Sequence, residues 1–152
     1  MLSIDSNLLL YAVNTASPHH RKALEFLICL RSREDIAISE FILVELYVLL
    51  RNPSVLEKPL DESEAAALVG TYRRHPRWML LGFDPHSREL HNELWRQAAQ
   101  RPFARRRIFD ARTALTLIRQ GVTEFATANV KDFINAGFQR VWNPLVDRKR
   151  EL

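Results

Sequence analysis

The sequence predicts an α/β fold: a single domain whose parallel sheet is sandwiched between helices on both faces. Three observations predict it. Short β-branched or apolar runs alternate with helix-patterned segments along the whole chain. At 152 residues the chain is the size of one compact domain. No repeat, low-complexity segment or interdomain linker interrupts it. Strands alternating with helices need crossover connections, and crossovers make the sheet parallel.

The elements follow in order. Leu2 to Ile4 reads as a buried strand ending at Asp5, and Asp5-Ser6-Asn7 turns into a helix. From Pro18 to Leu30, Ala23, Leu24, Leu27 and Leu30 recur at helical spacing, and Cys29 in this apolar run is expected to be a small core residue. Ile36 to Ile38 is a strand, and Ser39 is placed to cap a helix that runs to about Arg51 and ends at Asn52-Pro53. Asp61 to Glu64 has the pattern of a capping box for a helix reaching about Arg74. Trp78 to Leu81 is a strand, and a helix runs from Pro85 to about Gln100. Ile108 to Gln120 is helical, with Gly121 just past its end. Thr123 to Thr127 is a strand, Val130 to Ala136 a short helix, and Gln139 to Trp142 the last strand. The domain is read as residues 1–146, followed by a charged tail at 147–152.

Composition excludes several classes of function. Hydrophobic residues at 47% with 26% charged are the globular balance, which argues against a disordered or fibrous chain. One cysteine allows neither a disulfide framework nor a Cys-rich zinc site. Four glycines make no phosphate-cradling loop, which disfavours nucleoside-triphosphate hydrolysis. The five histidines lack zinc-ligand spacing and read as structural or surface residues, with His20 the one candidate for the rim of an active site. No apolar stretch is long enough to span a bilayer and no basic leader opens the chain, so a cytoplasmic protein is expected. A net charge of +4 permits a polyanionic partner without demanding one.

The informative residues are acids in unexpected places. Glu45 has Phe41, Ile42, Val48 and Leu49 as its helical neighbours, so periodicity puts it on an interior face. An unpaired carboxylate there costs several kcal/mol, which leaves a buried arginine partner or a metal as the ways to offset it. Asp5 ends the first strand, and ligands of parallel sheets gather at the carboxyl ends of strands, although an N-cap role would also explain it. Asp110 lies near the start of its helix, in line with Ala114 and Leu117; its ordinary role would be to complement the helix dipole. Asn129 and Asp132 follow the fourth strand, where capping is again the ordinary role. Taken jointly, these residues gather several acids at one end of one sheet. Like charges raise one another's pKa unless a cation is present. An oxygen-rich set of this kind suits Mg²⁺ or Mn²⁺, ions that assist phosphodiester hydrolysis.

At these residues the sequence resembles the PIN-domain nucleases, specifically the VapC-type toxins of bacterial toxin–antitoxin pairs. The landmarks are Asp5 with Asn7, Val44-Glu45-Leu46, Phe109-Asp110-Ala111, and the run from Thr127 to Phe133. Each is short, and their order and spacing make the likeness specific. The resemblance implies a Mg²⁺- or Mn²⁺-dependent endoribonuclease, a homodimer, and neutralisation by a small cognate antitoxin. It matches Asp5, Glu45 and Asp110 to the family's metal-binding acids. Where many members carry a further Asp, this chain has Asn129, which can coordinate through its carbonyl oxygen but brings no charge; Asp132, three residues on, can supply that charge directly or through water, and which of the two completes the set stays open. The number of bound metals stays open.

Arg101, Arg105, Arg106, Arg107 and Arg112 surround Asp110, either as a solvated surface or as an edge that binds the RNA backbone. Arg107 and Arg112, with Asn7, are the expected substrate contacts. Arg73, Arg74, His75 and Arg77 read as a solvated helix end. Trp78 and Trp142 are expected in the core. Apolar stripes on the helices at 61–74 and 85–100 are expected to serve the chain's own core or a partner surface. Two alternatives stand beside the nuclease. One is a non-catalytic RNA- or partner-binding domain with a vestigial site. The other is a phosphatase using Asp5 as nucleophile, a chemistry that usually wants an acid where Asn7 stands.

Overall fold

A computed structural model describes residues 1–146; the charged tail expected at 147–152 lies outside the described residues. The elements are β1 (Leu2–Ile4), α1 (Ser6–Val13), α2 (His20–Leu30), β2 (Ile36–Ser39), α3 (Glu40–Leu50), α4 (Glu62–Arg73), β3 (Met79–Leu81), α5 (Ser87–Ala98), α6 (Arg107–Arg119), β4 (Glu124–Ala126), α7 (Val130–Phe133) and β5 (Arg140–Trp142). The sheet is parallel throughout, in the order β3-β2-β1-β4-β5. This is the fold class that the alternation of elements predicts.

Local chemistry sets the boundaries. Ser39 Oγ accepts from the Ile42 amide at 3.3 Å and starts α3. Asp61 and Glu64 form a reciprocal capping box that starts α4. Gly121, at φ 88°, follows the end of α6 in the left-handed region that side chains disfavour.

The strand order places the functional end. The chain runs from central β1 outward to β2 and β3, then returns to β4 and β5 on the other side of β1. The reversal between β1 and β4 is a topological switch point, where ligands of such sheets bind. Helices α1 to α4 pack among themselves, and α5, α6 and α7 form a second group. Right-handed crossovers put the two groups on opposite faces of the sheet. Trp78 and Trp142 are both in the core, as expected.

Two expectations about burial are corrected and a third is narrowed. Cys29 is exposed, and so is Leu24, because α2 turns Ala23, Phe26 and Leu30 inward instead. Glu45 does not lie on an interior face. Helix α3 buries Ile42, Leu43, Leu46 and Leu50, while Val44 (63% exposed) and Val48 (58%) flank Glu45 in solvent. The helix is apolar on nearly every side, so periodicity alone does not identify the side that meets the core. Of the two roles expected for the α4 stripe, it serves the chain's own core: Ala65 is buried, and Leu68, Val69 and Tyr72 pack against the cluster beneath.

Candidate active site

Asp5 occupies the N-cap position of α1 but makes no capping bond through its side chain. Its carboxylate is held in another way. Thr127 Oγ1 donates to Oδ2 at 2.5 Å, Asn7 Nδ2 donates to the same oxygen at 2.7 Å, and Ser6 Oγ donates to Oδ1 at 3.2 Å. Thr127 stands one residue past β4 as Asp5 stands one past β1. The Asp5 amide donates to the Ala126 carbonyl at 2.9 Å, which fixes the two strand ends side by side.

Thr127 is the hub of this arrangement. Besides donating to Asp5, its hydroxyl accepts from the Asn129 amide at 2.9 Å and from Asn7 Nδ2 at 3.3 Å. Asn7 Oδ1 accepts from the Ala128 amide at 3.2 Å. Asn7, expected to touch substrate, therefore has its whole amide engaged in bracing Asp5 and the β4 end.

The acids feel one another. Burial pushes the Asp5 carboxyl up to about 6, the Glu45 charge adds to the rise, and the Thr127 hydrogen bond opposes it. Glu45 is also raised, first by burial of its carboxyl end and further by the Asp110 charge, against a hydrogen bond from Ser6. The residue as a whole is exposed, but its carboxyl group leans back toward Ser6. Asp110, half-buried on α6, is raised by burial and then by the charges of Asp132 and Asp5, while Arg107 and Arg106 pull it down. Asp5, Glu45, Asp110 and Asp132 thus share one electrostatic neighbourhood built from β1, α3, α6 and α7.

Asn129 sits at the N-cap position of α7, exposed, with no capping bond from its side chain. Its amide, not its side chain, joins the network. Asp132 is the α7 residue whose charge reaches Asp110. Sequence patterning does not single out Ser6 and Thr127. The available signal is position: each is a hydroxyl at the end of a central strand, Ser6 beside Asp5 and Thr127 at the matching place on β4.

A divalent ion makes its own demands on such a donor set. Among the described residues no three Asp, Glu, His or Cys side chains close into a ready-made cage. The donors are all oxygen, with no Cys or His, so the set does not fit structural zinc. It does fit Mg²⁺ or Mn²⁺, which keep several waters and are held by one or two carboxylates. Mutually raised carboxyls with both Asp5 oxygens fixed in place favour such a cation, because it would lower all of their pKa values together.

Arginines line this end of the molecule. Arg101, Arg105, Arg106, Arg107 and Arg112 form no ion pair among the described residues, whereas Arg73 pairs with Glu40 and Arg77 with Glu34, each at 2.6 Å. Arg112 lies over the Phe41 ring at 4.4 Å and the Phe109 ring at 5.9 Å, with its buried Nε unbonded. Arg107 stacks over Phe103 at 5.6 Å. His20 Nδ1 bonds the Tyr11 carbonyl at 3.3 Å and joins none of these contacts.

Residues 2–139 match the PIN domain family. The chain is 51% identical over 145 residues to "Ribonuclease VapC24" of Mycobacterium tuberculosis, covering 95% of this chain and 97% of that protein. Among solved structures it is similar to Mycobacterium tuberculosis VapC20, a sarcin-ricin loop cleaving toxin. That match has a TM-score of 0.66 and 16% identity, covering 91% of this chain and 96% of the other. It is also similar to FitAcB from Neisseria gonorrhoeae, with a TM-score of 0.61 and 18% identity over 95% of this chain and 98% of that one. VapBC2 from Rickettsia felis, bound to a DNA fragment from their promoter, matches with a TM-score of 0.61 and 18% identity over 93% and 97%. At these identities the solved structures speak for the fold.

Proposed function

The chain belongs to the PIN-domain family, and from that premise we propose that it is a metal-dependent endoribonuclease, the toxin of a toxin–antitoxin pair. It is a homologue of the ribonuclease VapC toxins. One observation carries the reading: Asp5, Glu45 and Asp110, from separate elements, meet at the switch point of the sheet with carboxyls raised first by burial and then by neighbouring acid charges, Asp132 among them, beside arginines that form no ion pair among the described residues. A domain that only had to fold would gain nothing from that arrangement.

In this reading Asp5, Glu45, Asp110 and Asp132 hold Mg²⁺ or Mn²⁺, with Asn129 at hand as a neutral oxygen donor. When bound, such an ion supplies an acidified water and positive charge for the phosphoryl oxygens. The chain's own residues prepare the site. Thr127 and Asn7 favour the ionised form of Asp5 and fix its orientation. Ser6 donates to Asp5 and lies beside the Glu45 carboxyl. Arg107 and Arg112 contact backbone phosphates and hold the scissile group against the acids. Hydrolysis breaks the P–O3′ bond, leaving a 3′-hydroxyl and a 5′-phosphate. Water as nucleophile does not require the 2′-hydroxyl, so the preference for RNA rests on the relatives.

A small cognate antitoxin is the proposed protein partner, supported by the VapBC2 complex among the structural relatives. A homodimer is proposed as well, supported by Val44, Val48, Phe83 and Phe109, large apolar residues exposed near the site. No helix among the described residues is long and apolar enough to cross a membrane. The test is cleavage of single-stranded RNA by purified protein with Mn²⁺, lost in EDTA and lost in Asp110→Ala, with Mn²⁺ binding followed by isothermal titration. RNA binding that is salt-sensitive, indifferent to EDTA and never followed by cleavage would overturn the enzyme in favour of a binding domain.

A further inference from the structure

Beside the carboxylates, between α5, α6, α7 and the connection from α5 to α6, lies a cleft of about 490 Å³. Asp110 and Asp132 stand on its wall, so it opens directly onto the acids. Its volume falls within the roughly 300–1,000 Å³ of small-ligand sites, room for one nucleotide and too little for a duplex. The rest of the lining differs in chemistry from the acid cluster. Phe103 offers a ring that is half-exposed and already stacked with Arg107. Gln97 Nε2 donates to Glu93 Oε1 at 2.8 Å, and Glu93 is itself paired with Arg96, so the Gln97 amide is oriented with its carbonyl oxygen unbonded among the described residues. Gln100 and Asn135 have side-chain amides that no hydrogen bond ties to the described residues, and Arg101 has no ion pair among them.

An aromatic face, one oriented amide with two free ones beside it, and unpaired arginines are the set that recognises an unpaired nucleotide. Bases stack on rings and on guanidinium planes, and amides read their edges. A purely electrostatic phosphate track would need neither the ring nor the amides. We propose that this cleft is a single-nucleotide subsite: it takes the base next to the scissile phosphate out of its stack, holds it on Phe103, and reads it through Gln97, Gln100 and Asn135. The inference rests on the ribonuclease reading above and adds to it the origin of sequence preference. It makes an unpaired stretch of RNA, rather than a helix, the substrate.

The experiment uses the full chain and single-stranded RNA of randomised sequence, with cut sites mapped in Mn²⁺ and binding of a fluorescent RNA measured by anisotropy in EDTA. Wild type is expected to show a base preference at one position fixed relative to the cut. Phe103→Ala should weaken RNA binding and raise KM by roughly tenfold or more, as expected when one base no longer stacks. Gln100→Ala, an exposed change that leaves the fold undisturbed, should flatten the preference at that one position. Melting curves identify any variant that fails to fold. Identical binding and identical cut-site profiles in wild type, Phe103→Ala and Gln100→Ala would overturn the subsite. Failure of wild type to cleave any RNA would overturn the ribonuclease reading instead, and the Phe103→Ala step in binding would still decide the subsite.

Discussion

Thr127 Oγ1 donates a hydrogen bond to Asp5 Oδ2 at 2.5 Å, although the two residues are 122 positions apart in the chain. The bond crosses the switch point between β1 and β4 and favours the ionised form of a carboxyl that burial pushes up to about 6. These two opposed effects determine how the site should respond to mutation and pH.

Asp5→Asn should abolish cleavage and yet stabilise the metal-free protein near neutral pH. The folded pKa of about 6 lies above the unfolded 3.8, so the folded state holds the Asp5 proton more tightly. The penalty is absent below pH 3.8, grows as pH rises, and is complete above 6, reaching up to about 3 kcal/mol. Scanning calorimetry without metal should find Asp5→Asn melting above wild type at pH 7.5, with the gap closing toward pH 4. Mn²⁺ should raise only wild type. A variant that melts below wild type at pH 7.5 would contradict this account of Asp5.

Thr127→Val keeps the shape and removes the donor. Asp5 is then without its strongest support for the charged form, so its pKa rises further and the acid limb of the pH–rate profile moves to higher pH. Mn²⁺ affinity should fall roughly 10- to 100-fold, as when an orienting partner of a metal ligand is removed. The Asn129 amide is also left without its acceptor, costing about 1–3 kcal/mol of stability. An unmoved pH profile would count against the hub role of Thr127.

Arg107→Gln should weaken RNA binding and make the slope of log affinity against log salt shallower by about one for each phosphate that the guanidinium neutralises. The same change removes a positive charge that pulls the Asp110 pKa down, so the acid limb of activity should shift upward. Arg73→Gln is the control, since Arg73 is paired with Glu40. Equal salt slopes for Arg107→Gln and wild type would remove Arg107 from the substrate path.

Val44→Glu places a charge on the exposed apolar side of α3, where Val44 is 63% exposed. Light scattering after size exclusion should find wild type dimeric at tens of micromolar and the variant monomeric with an unchanged melting temperature. A wild type that is monomeric throughout that range would remove the dimer.

Much of this architecture is legible from the residues. Apolar runs mark the strands, and Ser39, Asp61 with Glu64, and Gly121 mark helix ends through chemistry confined to four or five positions. Asp5 and Asp110 stand out as acids at element ends. Side-chain burial is less legible. Helix α3 has more apolar surface than one chain covers, so the pattern does not tell the side carrying Leu46 from the side carrying Val44. The role of Thr127 is hidden in the sequence because it depends on which strands become neighbours, and strand order is set by the whole fold. Asn7 has the residue type of a substrate contact, and only the folded arrangement reveals its amide engaged on both sides.

The insertion of β4 beside β1 has a consequence for synthesis on the ribosome. A nascent chain that has reached only α5 carries Asp5 and Glu45 but lacks Asp110, Asp132 and the threonine that steadies Asp5. The proposed metal site comes together only after the last third of the polypeptide has emerged and docked along the middle of the sheet. With the site assigned as proposed, an unfinished copy is inert, and the cell meets the activity only as a completed molecule.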